Sequence, residues 1–213
     1  MDGLLLDSER CVWSEAQREE AKNFGFKMTE SFIKRVLGSN HRRYVELFHE
    51  EFGDVVDGDL FMEKISEYYS NYCKTKAIPL KTGVIEMLEF LKKNNILISL
   101  GSSTQRELVE IALEKSGILH YFDFLVCGDE VKQGKPHPEI FLKSVEHFNL
   151  TADECIVFED SQNGAKAAYE GNIKLILVPD VKEPSSLDKE KAFAIIDSLQ
   201  KAIPIIKEIN NIN

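Results

Sequence analysis

From about residue 82 onwards, short apolar runs alternate with stretches of helical spacing. The runs at residues 96–100, 124–127, 156–158, 175–178 and 193–196 predict strands, and the stretches between them predict helices. Strands that alternate with helices form right-handed βαβ units. The pattern therefore predicts an α/β fold with a doubly wound parallel sheet covered on both faces. A last helix over residues 198–209 is expected to kink or split at Pro204.

Residues 8–78 have a different pattern, with apolar residues at helical spacing and no convincing strand. We predict four amphipathic helices joined by short loops, which together form a small bundle. The proposed helix boundaries are marked by cap and breaker residues: Ser8, Thr29, Gly38, Ser39 or Asn40, and Asp57 or Asp59.

Charge and cysteine content narrow the class of protein. The 213 residues are 43% hydrophobic, enough for one sizeable core, and carry a formal net charge of −10, which disfavours nucleic acid and anionic membranes as partners. The four cysteines include no CxxC pair, so reduced thiols are expected. No stretch approaches the ~20 apolar residues of a membrane span, and no signal peptide is evident. We expect a soluble cytoplasmic protein, with a monomer as the default.

Polar residues follow three of the predicted strands. Ser102 and Ser103 follow the first, Lys135 comes after the second, and Glu159-Asp160 follows the third. Each has an ordinary explanation as a helix cap, a solvated lysine or surface charge. However, ligands of open α/β sheets bind beyond the carboxyl ends of the strands. Hydroxyls and a lysine suit phosphate, and paired carboxylates suit Mg²⁺, so together these residues indicate a phosphoryl-transfer site.

Four segments in order resemble the haloacid dehalogenase superfamily, in its capped phosphatase and β-phosphoglucomutase-like branch. They are Met1-Asp2-Gly3 through Asp7-Ser8-Glu9, Leu100-Gly101-Ser102-Ser103, Gly134-Lys135-Pro136-His137-Pro138, and residues 157–164. The resemblance implies a Rossmann-like core formed by residues 1–7 and 80–213. It also implies that residues 8–79 are an inserted α-helical cap.

The resemblance also implies roles for individual residues. Asp2 would be the general acid/base, Ser102 would hydrogen-bond the transferring phosphoryl group, and Lys135 would neutralise charge. Mg²⁺ would be held by Asp2, Glu159 and Asp160, with Asp160 the more certain direct ligand. Substrate contacts would come from Ser103, Asn163 and a residue at the start of the third helix: His41, Arg42 or Arg43. A solvated helix start is an equal alternative for these last three.

The nucleophile of this superfamily is an aspartate two residues before the equivalent of Asp2, a position upstream of Met1. The first core strand of the superfamily would also lie upstream. We interpret Met1 as the methionine that relatives often carry between the two aspartates. Asp7 lies about a turn further along, towards the insertion, and does not easily replace the nucleophile.

The preferred function is a Mg²⁺-dependent phosphomonoester hydrolase that acts through an aspartyl-phosphate on a small phosphorylated metabolite such as a sugar phosphate. A phosphomutase is the second hypothesis, although Val12 stands where mutases typically have a histidine. A non-catalytic Mg²⁺- and phosphate-binding protein is the third. The helical insertion argues against a fourth, a phospho-accepting signalling receiver.

Overall fold

The computed structural model describes residues 1–37, 39 and 41–212, so the predictions made for Gly38 and Asn40 lie outside the described residues. A π-helical turn, Glu9–Trp13, leads into the insertion. Its four α-helices are α1 (Ser14–Asn23), α2 (Glu30–Val36), α3 (His41–Phe52) and α4 (Gly58–Thr75).

Two of the predicted caps of the insertion are confirmed and one is wrong. The Thr29 hydroxyl accepts from the backbone N–H of Phe32, and the Asp57 carboxylate accepts from that of Leu60. Ser8, in contrast, has helical backbone angles and its side chain makes no cap hydrogen bond. The chain instead enters the insertion through the wider π-helical turn, in which the Ser14 hydroxyl donates to the Glu9 carbonyl at 3.0 Å.

The remaining chain alternates helices and strands, as predicted. The strands are β1 (Ser99–Gly101), β2 (Phe124–Val126), β3 (Ile156–Glu159), β4 (Lys174–Leu177) and β5 (Ala194–Ile195). The helices are α5 (Val84–Lys93), α6 (Arg106–Lys115), α7 (Glu139–His147), α8 (Gln162–Glu170), α9 (Ser186–Lys191) and α10 (Ala202–Ile209).

One strand boundary and one additional helix differ from the sequence-based expectation. The first strand starts at Ser99 rather than at residue 96, because the Ile98 N–H is taken by the Asp123 carboxylate instead of a sheet partner. Helix α9 was not predicted. The predicted helix over residues 198–209 is split, as expected, into a 3₁₀ turn, Leu199–Lys201, and α10, which begins at Ala202. Pro204 falls in the first turn of α10, where its missing N–H breaks no intrahelical bond.

The strands form two parallel sheets, one with the order β1-β2 and one with the order β3-β4-β5. Both sheets present side chains to the same two helix layers. Leu100 and Ile176 face the cluster that contains residues of α5, α6 and α10, whereas Val126 and Val157 face the cluster with residues of α7 and α8. The two sheets are thus two parts of one doubly wound layer, and the α/β fold is confirmed.

A cleft of about 570 Å³ lies between β1 and β3. Residues of both strands line it, together with Met1, Leu4 and Leu5 from the start of the chain. Helix α5 contributes Met87, Leu88 and Leu91, and α7 contributes Phe141. The outer edge of β1 and the outer edge of β3 therefore both face a largely apolar space.

The insertion has its own aromatic core, which includes Phe32, Phe48 and Phe61. Its base, however, packs into the main core of the α/β part through Val12, Tyr69 and Cys73. The boundaries at residues 7/8 and 79/80 stay a prediction. Within the described residues, no helix is long and apolar enough to cross a membrane. All four cysteines are free thiols, as predicted.

Candidate active site

The first six residues form a tight loop that places Asp2 next to the carboxyl end of β1. The Met1 carbonyl accepts from the N–H groups of Leu5 and Leu6, at 2.8 and 3.2 Å. Gly3 has φ +73°, and a Cβ there would overlap the Asp160 carboxyl group. A glycine is therefore required at this position for two reasons, its backbone angle and the close approach of Asp160.

Both carboxylate oxygens of Asp2 are hydrogen-bonded. Oδ1 accepts from the Tyr69 hydroxyl at 2.7 Å, and Oδ2 accepts from the Thr104 hydroxyl at 3.2 Å. Tyr69 lies on α4, and Thr104 lies in the loop that follows β1. The structure thus places Asp2 where the helical insertion meets the carboxyl end of a core strand.

The side chain of Lys135 is largely buried, in contrast to those of most loop lysines. Its ammonium group donates to the Gly101 carbonyl at 3.1 Å and to the Glu159 carboxylate, and it lies 4.8 Å from the centre of the Phe141 ring. The side chains of Lys135 and Glu159 are 10% and 6% exposed. This ion pair connects the ends of β1 and β3, so a cation is fixed at the edge where ligands of such sheets bind.

The Glu159 carboxylate is surrounded by donors besides Lys135. It accepts from the N–H groups of Asp160 and Ser161, both at 3.1 Å, and from the Ser161 hydroxyl at 2.9 Å. Burial opposes ionisation, but the nearby Lys135 ammonium holds the pKa of Glu159 below its ordinary value. A Cβ at Gly164 would overlap this carboxyl group. Glu159 is thus ionised and directed at Lys135.

Asp160 has the opposite electrostatic surroundings. Burial, followed by the negative charge of Glu159, raises its pKa to about 7. An underneutralised carboxylate at a strand end fits an oxygen-preferring dication such as Mg²⁺. No cluster of three or more His, Cys, Asp or Glu side chains within the described residues is arranged to hold a metal ion. The Asp160 carboxylate thus has the donor chemistry that Mg²⁺ prefers, and a metal site formed by Asp2, Glu159 and Asp160 stays a prediction.

Ser102 follows β1 and is 3% exposed. Its hydroxyl accepts from the Thr104 N–H at 3.2 Å, and its own N–H donates to the Val126 carbonyl at 3.0 Å. It does not cap α6, which begins at Arg106 after Gln105. Ser103 and Asn163, both predicted to contact substrate, are exposed near the ends of β1 and β3. Their roles stay predictions.

The family model of haloacid dehalogenase-like hydrolases matches residues 1–178. The chain belongs to this family. It is 33% identical over 214 residues to a phosphorylated carbohydrates phosphatase from Thermotoga maritima, with 98% of this chain and 96% of that protein covered.

Two solved structures of the family share the fold of the whole chain. One is a candidate β-phosphoglucomutase from Thermotoga maritima, with a TM-score of 0.80 and 29% identity over 98% of this chain and 96% of that one. The other is a β-phosphoglucomutase from Clostridium difficile, with a TM-score of 0.72 and 25% identity over 99% and 94%. The resemblance inferred from the motifs is thus confirmed.

The residues at the start of α3 pair with other side chains of the insertion. The His41 ring is 2.6 Å from the Asp59 carboxylate, and Arg42 pairs with Glu46 at 3.1 Å. The side chains of His41 and Arg42 are 58% and 90% exposed. These partners all belong to the insertion, and a substrate contact by His41 or Arg42 stays a prediction.

Two features of the site were not predicted from the sequence. Tyr69 and Thr104 bind Asp2, although neither was singled out. In addition, the buried Asp180 carboxylate, which follows β4, pairs with Arg10 at 2.7 Å and with Lys81. Arg10 and Lys81 lie on the two connections between the insertion and the core, so Asp180 ties both connections to the sheet. No local sequence signal distinguishes these side chains from ordinary helix and loop residues.

Proposed function

We propose that this protein is a Mg²⁺-dependent phosphomonoester hydrolase acting on a small phosphorylated metabolite such as a sugar phosphate. The observation that carries the proposal is the buried ammonium group of Lys135, held between β1 and β3 beside Ser102 and Asp160. A phosphate dianion needs such a fixed cation, because the net charge of −10 otherwise repels it. The similarity to the phosphatase from Thermotoga maritima supports the same reaction class.

In the proposed reaction, the P–O bond of the ester breaks while a new P–O bond forms to an aspartate. Asp2 gives a proton to the leaving alcohol oxygen. In the second step Asp2 takes a proton from water, the water oxygen bonds to phosphorus, and the P–O bond to the aspartate breaks, which releases inorganic phosphate and the free aspartate carboxylate. The Ser102 hydroxyl donates to a phosphoryl oxygen, and Lys135 offsets the charge that develops in both steps.

We place the nucleophilic aspartate two residues before Asp2, at the end of a strand that occupies the cleft between β1 and β3. Such a strand would pair with both open edges at about 4.8 Å on each side. Its side chains would alternate between the α5/α10 layer and the α7 layer, as those of β1 and β3 do. The family resemblance and the apolar lining of the cleft support this placement.

Mg²⁺ would be held by Asp160, with Asp2 and Glu159 as the further predicted ligands. When bound, the ion would supply positive charge against the phosphate and its transition state. The carboxylate of Asp160 is suited to this because burial and Glu159 leave its charge underneutralised.

A phosphomutase is the second candidate, favoured by the similarity to one β-phosphoglucomutase structure and one candidate β-phosphoglucomutase structure. The Val12 side chain counts against it, because it is fully buried in the main core at the position where the resemblance places a mutase histidine. Product analysis separates the two: a hydrolase releases inorganic phosphate, whereas a mutase returns an isomeric sugar phosphate.

The experiment is an assay of phosphate release from a panel of sugar phosphates and p-nitrophenyl phosphate with Mg²⁺. The 213-residue chain is compared with a version extended upstream by the proposed strand and aspartate. We expect turnover only in the extended protein, and a loss of at least about 100-fold in its Asp160→Asn variant. Asp153→Asn, which changes an exposed carboxylate at the opposite, amino-terminal end of β3, is the control and should retain full activity.

An extended protein with asparagine at the nucleophile position separates folding from chemistry. It should be as stable as the active extended protein and should bind Mg²⁺, but release no phosphate. If the active extended protein folds, binds Mg²⁺ and still hydrolyses no substrate, the hydrolase proposal is wrong. Accumulation of an isomerised sugar phosphate would then favour the mutase, and binding without turnover would favour a non-catalytic protein.

A further inference from the structure

The hydroxyl of Tyr69 links the helical insertion to the proposed acid/base. It donates to Asp2 Oδ1 at 2.7 Å, although Tyr69 and Asp2 are 67 residues apart in the sequence. Tyr69 lies on α4, whereas Asp2 belongs to the loop at the sheet edge. A hydrogen bond between a neutral hydroxyl and a carboxylate is charge-assisted, and therefore stronger than one between neutral groups.

The ring of Tyr69 is held rigidly. It is 4% exposed and stacks on the Trp13 ring, with centroids 5.2 Å apart and planes 20° from parallel. A buried phenol needs a polar partner for its hydroxyl, and Asp2 supplies it. Burial, and then the charge of Asp2, raises the pKa of Tyr69, so its hydroxyl stays protonated and able to donate.

The second oxygen of Asp2 is held from the core. Thr104, which follows β1, donates to Oδ2 at 3.2 Å. The Asp2 carboxylate is therefore held by one donor from the insertion, Tyr69, and one donor from the core, Thr104. If the insertion moved away from the core, Asp2 would keep the Thr104 contact but lose the one that fixes its other oxygen.

The neighbouring tyrosines of α4 do not share this geometry. Tyr68 has the carboxylate of Glu15 as its neighbour, and the ring of Tyr72 has the Lys76 ammonium 5.0 Å from its centre. Tyr69 is thus distinguished from Tyr68 and Tyr72 by its partner.

We propose that Tyr69 is a positioning residue for Asp2, holding the carboxylate in its working orientation only while the insertion is docked on the core. This inference rests on the proposed function, in which Asp2 moves the protons. Proton transfer at the sheet edge is then coupled to docking of the insertion, because the donor that orients Asp2 arrives with α4. A substrate that binds with the insertion docked on the core is hydrolysed. A substrate that prevents docking binds next to an Asp2 carboxyl group that is not correctly oriented.

The test compares Tyr69→Phe with Tyr72→Phe in the form of the protein that releases phosphate. Phenylalanine keeps the ring stacked on Trp13 and removes only the hydroxyl. Because this hydrogen bond is made to a charged group, we expect kcat of Tyr69→Phe to fall roughly 10- to 100-fold. KM should stay within about two-fold, and Tyr72→Phe should match the parent protein. The fluorescence of Trp13, the single tryptophan, verifies that the stack is retained.

A spectroscopic readout distinguishes positioning from a structural role. The ¹³C signal of the Asp2 side-chain carboxyl group at pH 8 should shift in Tyr69→Phe and stay unchanged in Tyr72→Phe. Thr104→Val, which removes the donor from the core side, should shift the same signal.

The result that overturns the inference is a Tyr69→Phe variant with kcat within two-fold of the parent and an unmoved Asp2 ¹³C signal. A loss that appears equally in Tyr72→Phe, or one confined to KM, overturns it as well. Failure of the proposed function gives a different result. If no form releases phosphate, an Asp2 ¹³C shift specific to Tyr69→Phe still supports the positioning contact, and an unmoved signal refutes it.

Discussion

Replacing Lys135 by methionine should destabilise the protein strongly. The side chains of Lys135 and Glu159 are 10% and 6% exposed, and methionine keeps most of the aliphatic stem of lysine while removing its charge. Glu159 would then be a buried carboxylate without its cation. Breaking a buried ion pair from one side costs about 3–5 kcal/mol, a large part of a total stability of about 5–15 kcal/mol.

The effect should depend on pH in a defined direction. The folded-state pKa of Glu159 lies below its ordinary value of 4.5 because of Lys135, so the pair contributes stability above about pH 4.5. That contribution is lost as the pH falls through the folded-state pKa. The parent protein and Lys135→Met should therefore differ most near pH 7–8 and converge at lower pH, where Glu159 of the variant accepts a proton.

The assay is urea unfolding followed by Trp13 fluorescence and far-ultraviolet circular dichroism, at pH 8 and pH 4.5. Lys166→Met is the matched control, because Lys166 pairs with Glu170 at 3.7 Å on the exposed face of α8 and should cost less than about 0.5 kcal/mol. The double variant Lys135→Met/Glu159→Leu should recover much of the loss. A cost below 1 kcal/mol for Lys135→Met, or equal costs at both pH values, would refute the reasoning.

Three further predictions follow from the same region. Because the pKa of Asp160 is raised to about 7, Mg²⁺ must displace a proton at low pH, and calorimetry should show roughly ten-fold weaker Mg²⁺ binding at pH 6 than at pH 8. Gly164→Ala should cost about 1–3 kcal/mol in urea unfolding, because its Cβ would overlap the Glu159 carboxyl group. Asp180→Asn should cost about 1–3 kcal/mol in thermal unfolding, because it weakens the buried pairing with Lys81.

Each of these has a control on the same chain. Asp153→Asn should leave Mg²⁺ affinity and its pH dependence unchanged. Gly134→Ala should be close to neutral, since no atom lies within 4 Å of a Cβ at that position. Asp197→Asn, at an exposed partner of Lys201, should cost less than Asp180→Asn. Equal Mg²⁺ affinity at pH 6 and 8, or control variants as damaging as their counterparts, would contradict the corresponding argument.

The alternation of strands and helices could be predicted from the sequence because buried parallel strands are short apolar runs. Caps such as Thr29 and Asp57 could also be predicted, since their bonds involve neighbouring residues. The errors arise where a tertiary contact replaces a local one. The carboxylate of Asp123 ends the ladder at Ile98. Helix α9 did carry a local signal, the capping box of Ser185 and Asp188, which the strand pattern around it obscured.

The location of the site residues could also be predicted, because it follows from the same strand pattern. Ser102, Lys135 and Asp160 lie near strand ends, and strand ends of a parallel sheet meet at one edge, so their proximity follows from topology. The direction in which each side chain points does not follow from topology. Glu159 was predicted as a metal ligand from its position beside Asp160, yet four donors turn its carboxylate towards Lys135 and Ser161.

The position of Tyr69 shows why the helical insertion and the core site have to be considered together. Sequence patterns assign Tyr69 to the apolar face of α4, and it does lie in the main core. Its hydroxyl, however, is the group that reaches Asp2, and an amphipathic pattern cannot reveal where the polar tip of a buried tyrosine points. Since Asp180 also ties both connections of the insertion to the sheet through Arg10 and Lys81, the insertion contacts the core at these connections and at Asp2, the proposed acid/base. If Asp2 has this role, a change in how the insertion docks alters the proposed proton-transfer group itself, in addition to any surface that contacts the substrate.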